Sequence, residues 1–291
     1  MPLAILHVVN ALRSPHVLLG YLNPRNTFRA LAAIDAEPPS FTEPTAKRSK
    51  ICLIVLFSTC WVLLLLNYVQ NPQVLLGLLR MGAELRGVAA DTYVSAVEQS
   101  DYQPLWWLGW WGLCHALFFV AVPVLIIKLL LKRPLREFGA GWGTTHSHWQ
   151  GYLALLTPII GFAVLASFSE EFVEFYPFYR NAGRSITEFL VWECIYLIQF
   201  ASLEFFFRGF MIHALRPSFG SGAIWIMVVP YLMIHFSKPW LEATGSIFFG
   251  LYLAILAFRS RSIWGGFFVH AGVALSMDIS SLVQQGQFPG Q

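Results

Sequence analysis

Glu204-Phe205-Phe206-Phe207-Arg208-Gly209 stands inside the apolar run 187–212. Two opposite charges lie four residues apart where hydrocarbon is expected. On a helix that spacing puts both side chains on one face, one turn apart. An ionisable residue inside a membrane segment is costly and marks a functional site by default. Two further polar residues, His235 and His270, also sit in apolar segments. The four residues together predict a polar chamber buried in a helical membrane protein.

Composition agrees with that class. The chain has 291 residues, 56% of them hydrophobic and only 12% charged. Soluble domains carry about 25% charge. The net charge is +3, and its basic residues cluster at the ends of apolar runs. That pattern orients a protein in a membrane and is not a nucleic-acid footprint. Cys52, Cys60, Cys114 and Cys194 all lie in apolar segments and form no C-x-x-C pair, so neither a disulfide framework nor a zinc site is indicated.

About 20 apolar residues cross a bilayer. The chain therefore reads as an all-α polytopic bundle of about seven spans: 51–69, 105–131, 151–168, 187–212, 222–237, 244–258 and 262–283. A short amphipathic helix is expected around Val74–Leu85. The divisions are a cytosolic N-terminal tail (1–50), an N-terminal transmembrane region with an external loop (51–134), a membrane core (135–283) and a C-terminal tail (284–291). The tail lacks the charged start and small-residue cleavage site of a signal peptide, and its many prolines predict loose structure. Lys47, Arg48, Lys50, Lys128, Lys132, Arg133, Arg136, Arg208, Arg216, Arg259 and Arg261 fall on one side, which the positive-inside rule makes cytoplasmic. The N-terminus is then cytoplasmic, and Trp106, Trp107, Trp110 and Trp111 belong at the outer interface.

Depth brings three residues together. Counted at helical rise from the cytoplasmic ends of their spans, Glu204, His235 and His270 lie roughly 16, 21 and 12 Å inward. The plainer readings are an ion pair that fixes helix register and histidines that bond across helix interfaces. Glu193, three turns before Glu204, reads as water-exposed near its helix end. His115 and His213 have no evident partner.

Glu204-x-x-x-Arg208-Gly209, then Tyr231-x-x-x-His235, then His270 one helix later resembles the CAAX-protease and bacteriocin-processing (Abi, CPBP) family. These are intramembrane endopeptidases that include the type II CAAX prenyl proteases. The family pattern is E-E-x-x-x-R, F-x-x-x-H and H-x-x-x-N/D, each on its own helix. Arg136-Glu137-Phe138-Gly139 also resembles the family's approach to its core, and the likeness covers roughly residues 135–280. Leu203 stands in place of the first acid, Tyr231 in place of Phe and Ala274 in place of Asn or Asp. Asp278, a turn further on, lies off that face.

The resemblance implies an intramembrane endopeptidase that cleaves a membrane-associated protein or peptide, lipid-modified or not, by Glu/His-activated water. Glu204, His235 and His270 would be catalytic, with Arg208 and Tyr231 in support. No metal or other cofactor is implied. A divalent metal on Glu204, His235 and His270 is the alternative cofactor. A catalytically inactive member acting as a membrane binding, immunity or scaffold protein is the alternative function, favoured by Leu203 and Ala274. A transporter is disfavoured, because matched broken helices are not seen. The expected partners are the substrate and membrane lipids, without nucleic acid, and the expected location is a bacterial inner (plasma) membrane.

Overall fold

The computed structural model describes residues 23–39 and 43–289. The outermost parts of both expected tails lie outside the described residues. Among the described residues the chain is helical and has no strand, and six helices are long and apolar enough to cross a membrane. The protein is an integral membrane protein with an all-α bundle.

In chain order, α1 is Pro24–Ala36, α2 Thr45–Val69, α3 Pro72–Leu85, α4 Thr92–Glu98 and α5 Gln103–Leu131. They are followed by α6 Trp149–Ala166, α7 Glu170–Phe175 and α8 Ile186–Phe219. The last three are α9 Gly222–Met233, α10 Trp240–Ser260 and α11 Trp264–Gln284. The expected amphipathic segment is α3. Pro72 occupies its first turn and the Asn71 side chain accepts from the Gln73 amide at 2.9 Å, which together start a helix.

Two expectations change. Part of the tail is ordered: α1 buries Thr27, Ala30 and Ile34. Arg216, from α8, donates to the carbonyls of Ile34 and Glu37 at 3.0 and 3.1 Å, which ties α1 to the core. The fifth expected span, 222–237, is a helix of only 12 residues that ends at Met233. At 1.5 Å per residue it is about 18 Å long, well short of the roughly 30 Å hydrocarbon layer. It buries Ala223, Ile224, Met227, Val228 and Tyr231 and leaves Trp225, Val229 and Met233 exposed, and Pro230 near its end limits its length.

The most enclosed of the six is α8, with α5, α9 and α11 packed around it. It runs seven residues past its expected end, so Arg216 is helical and not a loop charge, and Arg208 is fully buried within it. Over Phe205–Met211 its turns widen to the π form, a feature often found at functional sites. Arg133 and Arg48 lie at one end of the bundle. There Arg133 pairs with Glu43 at 3.1 Å, Arg48 donates to the Pro217 carbonyl at 2.9 Å, and the Thr144 amide donates to the Ser260 carbonyl at 2.7 Å.

Candidate active site

Glu204 and Arg208 are both 0% exposed, with Oε1 3.1 Å from Nη1. The pair is completed from two other helices. His270, one third of the way along α11, brings Nδ1 to 2.8 Å from the same Oε1. Its Nε2 lies 3.0 Å from the Tyr231 hydroxyl of α9. The Tyr231 ring in turn lies under the Arg208 guanidinium, 3.9 Å from Cζ to centroid. Four residues on three helices thus form a closed ring of carboxylate, imidazole, phenol and guanidinium. Each polar edge of the imidazole has a partner, which fixes its orientation.

Two glycines make this packing possible. A β-carbon on Gly266 would stand 2.2 Å from Glu204 Oε2, so the α11 backbone covers the carboxylate directly. A β-carbon on Gly209 would stand 2.7 Å from the Phe138 carbonyl. The Arg-Gly pair and the Arg136–Gly139 segment singled out in the sequence therefore meet: the glycine lets a 3-10 turn, Leu135–Phe138, lie against α8.

His235 is held differently. It follows the end of α9 in a turn, and its Nδ1 lies 2.7 Å from the Tyr231 carbonyl. A carbonyl only accepts, so Nδ1 carries the hydrogen and Nε2 is left with its lone pair. The rings of His235 and Tyr231 are 4.7 Å apart. Tyr231 therefore joins the two histidines, through its hydroxyl to one and its backbone to the other.

A cavity of ≈ 1470 Å³ opens beside this ring, between α2, α5, α8, α9 and α11. His235 and His270 line it. So do Leu203 and Ala274, the residues that replace the family's acid and amide. Glu204, Arg208 and Tyr231 are not among its lining residues; of the four residues of the ring, His270 alone lines it. Much of the wall is apolar, from Leu56 and Leu63 to Val229 and Met233. At one end stands a polar group in which Lys238 lies 3.4 Å from Glu242 and from the Tyr176 hydroxyl, over the Phe178 ring at 4.0 Å. Among the described residues no three His, Cys, Asp or Glu side chains converge as a metal-ligand set, so the alternative ligands Glu204, His235 and His270 do not form one here.

Sequence reading missed a second buried polar group. Glu193 is 7% exposed and Asp278 0%, although Glu193 was expected to face water and Asp278 to lie off the site. Trp192 Nε1 donates to Asp278 Oδ2 at 2.6 Å, and Glu193 lies near the same carboxyl group. The helical spacing of Glu193 from Glu204 was the available signal. The partner lies 85 residues away on α11, beyond the reach of any local pattern.

No curated protein and no solved structure matches the chain. Residues 185–276 match a family model described as type II CAAX prenyl endopeptidase Rce1-like. This match supports the resemblance carried by the motifs: in the segment that builds the site, the chain is similar to the CAAX-protease family of membrane endopeptidases.

Proposed function

We propose that the protein is an intramembrane endopeptidase that hydrolyses a peptide bond of a membrane-associated substrate, lipid-modified or not, admitted to the cavity. The observation that carries this reading is the carboxylate–imidazole pair at 2.8 Å, with the imidazole opening on the cavity. Glu204 works through His270. The imidazole Nε2 takes a proton from water as the water oxygen bonds to the peptide carbonyl carbon, and Glu204 stabilises the imidazolium that forms. Tyr231, which donates to Nε2 in the resting site, turns its O–H bond away for that step while its ring stays under Arg208. The lone pair of His235 Nε2 accepts the other hydrogen of the same water and orients it. When the C–N bond breaks, the proton on His270 passes to the leaving amine. Arg208 compensates the buried carboxylate by pairing with it at 3.1 Å, and holds Tyr231 in place from the ring face.

The test is cleavage of a panel of fluorogenic peptides, with and without a lipid chain, by the full chain in nanodiscs. Product termini are identified by mass spectrometry. His235→Ala and His270→Ala are expected to abolish cleavage while leaving the protein folded, and chelators to leave the rate unchanged. Full activity in His270→Ala would end the proposal, and chelator loss restored by zinc would replace it with a metal mechanism. A second reading has its own observation: Leu203 and Ala274 present alkyl groups to the cavity at two motif positions. On that reading the protein binds a peptide or lipid-modified chain without cleaving it. Binding without turnover across the whole panel is its signature.

The orientation belongs to the same proposal, with the basic end cytoplasmic in an inner (plasma) membrane. A single cysteine placed at Asn181, in a cysteine-free background, should react with an impermeant reagent from outside, and one at Ser49 should not. The opposite labelling would reverse the topology.

A further inference from the structure

A polar station in the cavity wall is left over from the chemistry above. Gln199 of α8 lines the cavity, is 6% exposed, and its Oε1 has no hydrogen-bond partner among the described residues. His115 of α5 lines it too and is 7% exposed. Its Nδ1 lies 2.8 Å from the Trp111 carbonyl, so that nitrogen donates and Nε2 remains an acceptor. The two residues belong to one level of the bundle. Trp111 and Tyr196 rings lie 6.2 Å apart before them, and Phe119 stacks on Phe206 at 4.7 Å beyond them. The level is that of the active site, because Phe200, next to Gln199, stacks on the His270 ring at 5.2 Å and 9°.

An orphaned amide in a largely apolar cavity is costly, as each unsatisfied polar group in the membrane interior forfeits its hydrogen bonds to water. A peptide that enters in extended form has the same difficulty, since its main-chain N–H and C=O groups lack internal partners. A carboxamide offers one acceptor and two donors, the set that complements an extended main chain. We propose that Gln199, with His115 beside it, is the subsite that binds the substrate's main chain. Gln199 Oε1 accepts a peptide N–H, its Nε2 donates to a peptide carbonyl, and His115 Nε2 accepts a second N–H. The inference rests on the endopeptidase reading and deepens it. The cavity takes an unwound peptide segment, and Gln199 is a specificity-determining residue that takes no part in proton transfer.

Two measurements test it. The first needs no ligand: Gln199→Leu removes an unpaired polar group from the full chain and should raise Tm in nanodiscs by about 2–4 °C. The second uses the tightest-binding peptide of the fluorogenic panel, titrated by anisotropy against the full chain carrying His235→Ala, in which turnover is blocked. An ester series of that peptide replaces one backbone N–H at a time. One ester position should weaken binding about tenfold. Gln199→Leu should weaken the parent peptide by a similar factor and abolish the ester penalty at that position. Equal binding to both proteins, an ester penalty that survives Gln199→Leu, or a fall in Tm would overturn the subsite and leave the endopeptidase reading intact. Failure of every peptide to bind the chain would overturn both.

Discussion

Glu193 and Glu204 lie on one face of α8, three turns apart, and both are buried. Glu204 meets a guanidinium and an imidazole, whereas Glu193 meets another carboxyl group and the neighbourhood of an indole. The difference lies in the neighbours. Arg208 pairs with Glu204 at 3.1 Å and so compensates a charge where water is excluded. No cation sits one turn from Glu193, and the neighbouring Asp278 takes its hydrogen bond from the Trp192 indole. One site therefore pairs opposite charges and orients an imidazole toward the cavity. The other ties α8 to α11 through Trp192 and Asp278. The two arrangements show how one helix face serves both catalysis and assembly.

The contrast should be sharpest in substitutions that remove one charge. Arg208→Leu strands Glu204 without its cation and is expected to cost about 3–5 kcal/mol. The double change with Glu204→Gln should recover part of that loss. Denaturation in detergent measures all three variants, and an absence of coupling would show that the 3.1 Å contact carries no energy. Tyr231→Phe tests the ring at its middle. It removes one hydrogen bond to His270 and should cost about 1 kcal/mol. Because the resting hydroxyl competes for Nε2, kcat should hold or rise. A steep fall in kcat at unchanged stability would give the hydroxyl a chemical role. The carboxyl pair should respond least. Glu193→Gln keeps the shape of the side chain, and in Asp278→Asn the amide oxygen can still accept from Trp192, so the shift should stay within about 1 kcal/mol. A loss as large as that of Arg208→Leu would mean that this pair, too, is held by charge.

Some of this was legible in the chain itself. Long apolar runs gave the helical membrane class, because only satisfied backbone can cross lipid. The i, i+4 spacing of Glu204 and Arg208 gave their pairing, since neighbouring turns of a helix must face each other. The short amphipathic stretch Val74–Leu85 pointed to α3, which begins slightly earlier, at Pro72. Motif order pointed to His235 and His270, and the turn after α9 and helix α11 do bring both to one cavity. Other features depended on contacts remote in sequence. Nothing local shows that Glu204 is sealed from the cavity by His270, that Tyr231 links the two histidines, or that Asp278 waits for Glu193. The shortness of α9 and the orphaned amide of Gln199 are of the same kind. Helix periodicity specifies which residues share a face, but not what the facing helix presents. In a bundle whose helices are apolar on most sides, that second fact is decided by packing: by where Gly209 and Gly266 allow backbones to approach, and by which polar groups must then find one another out of water.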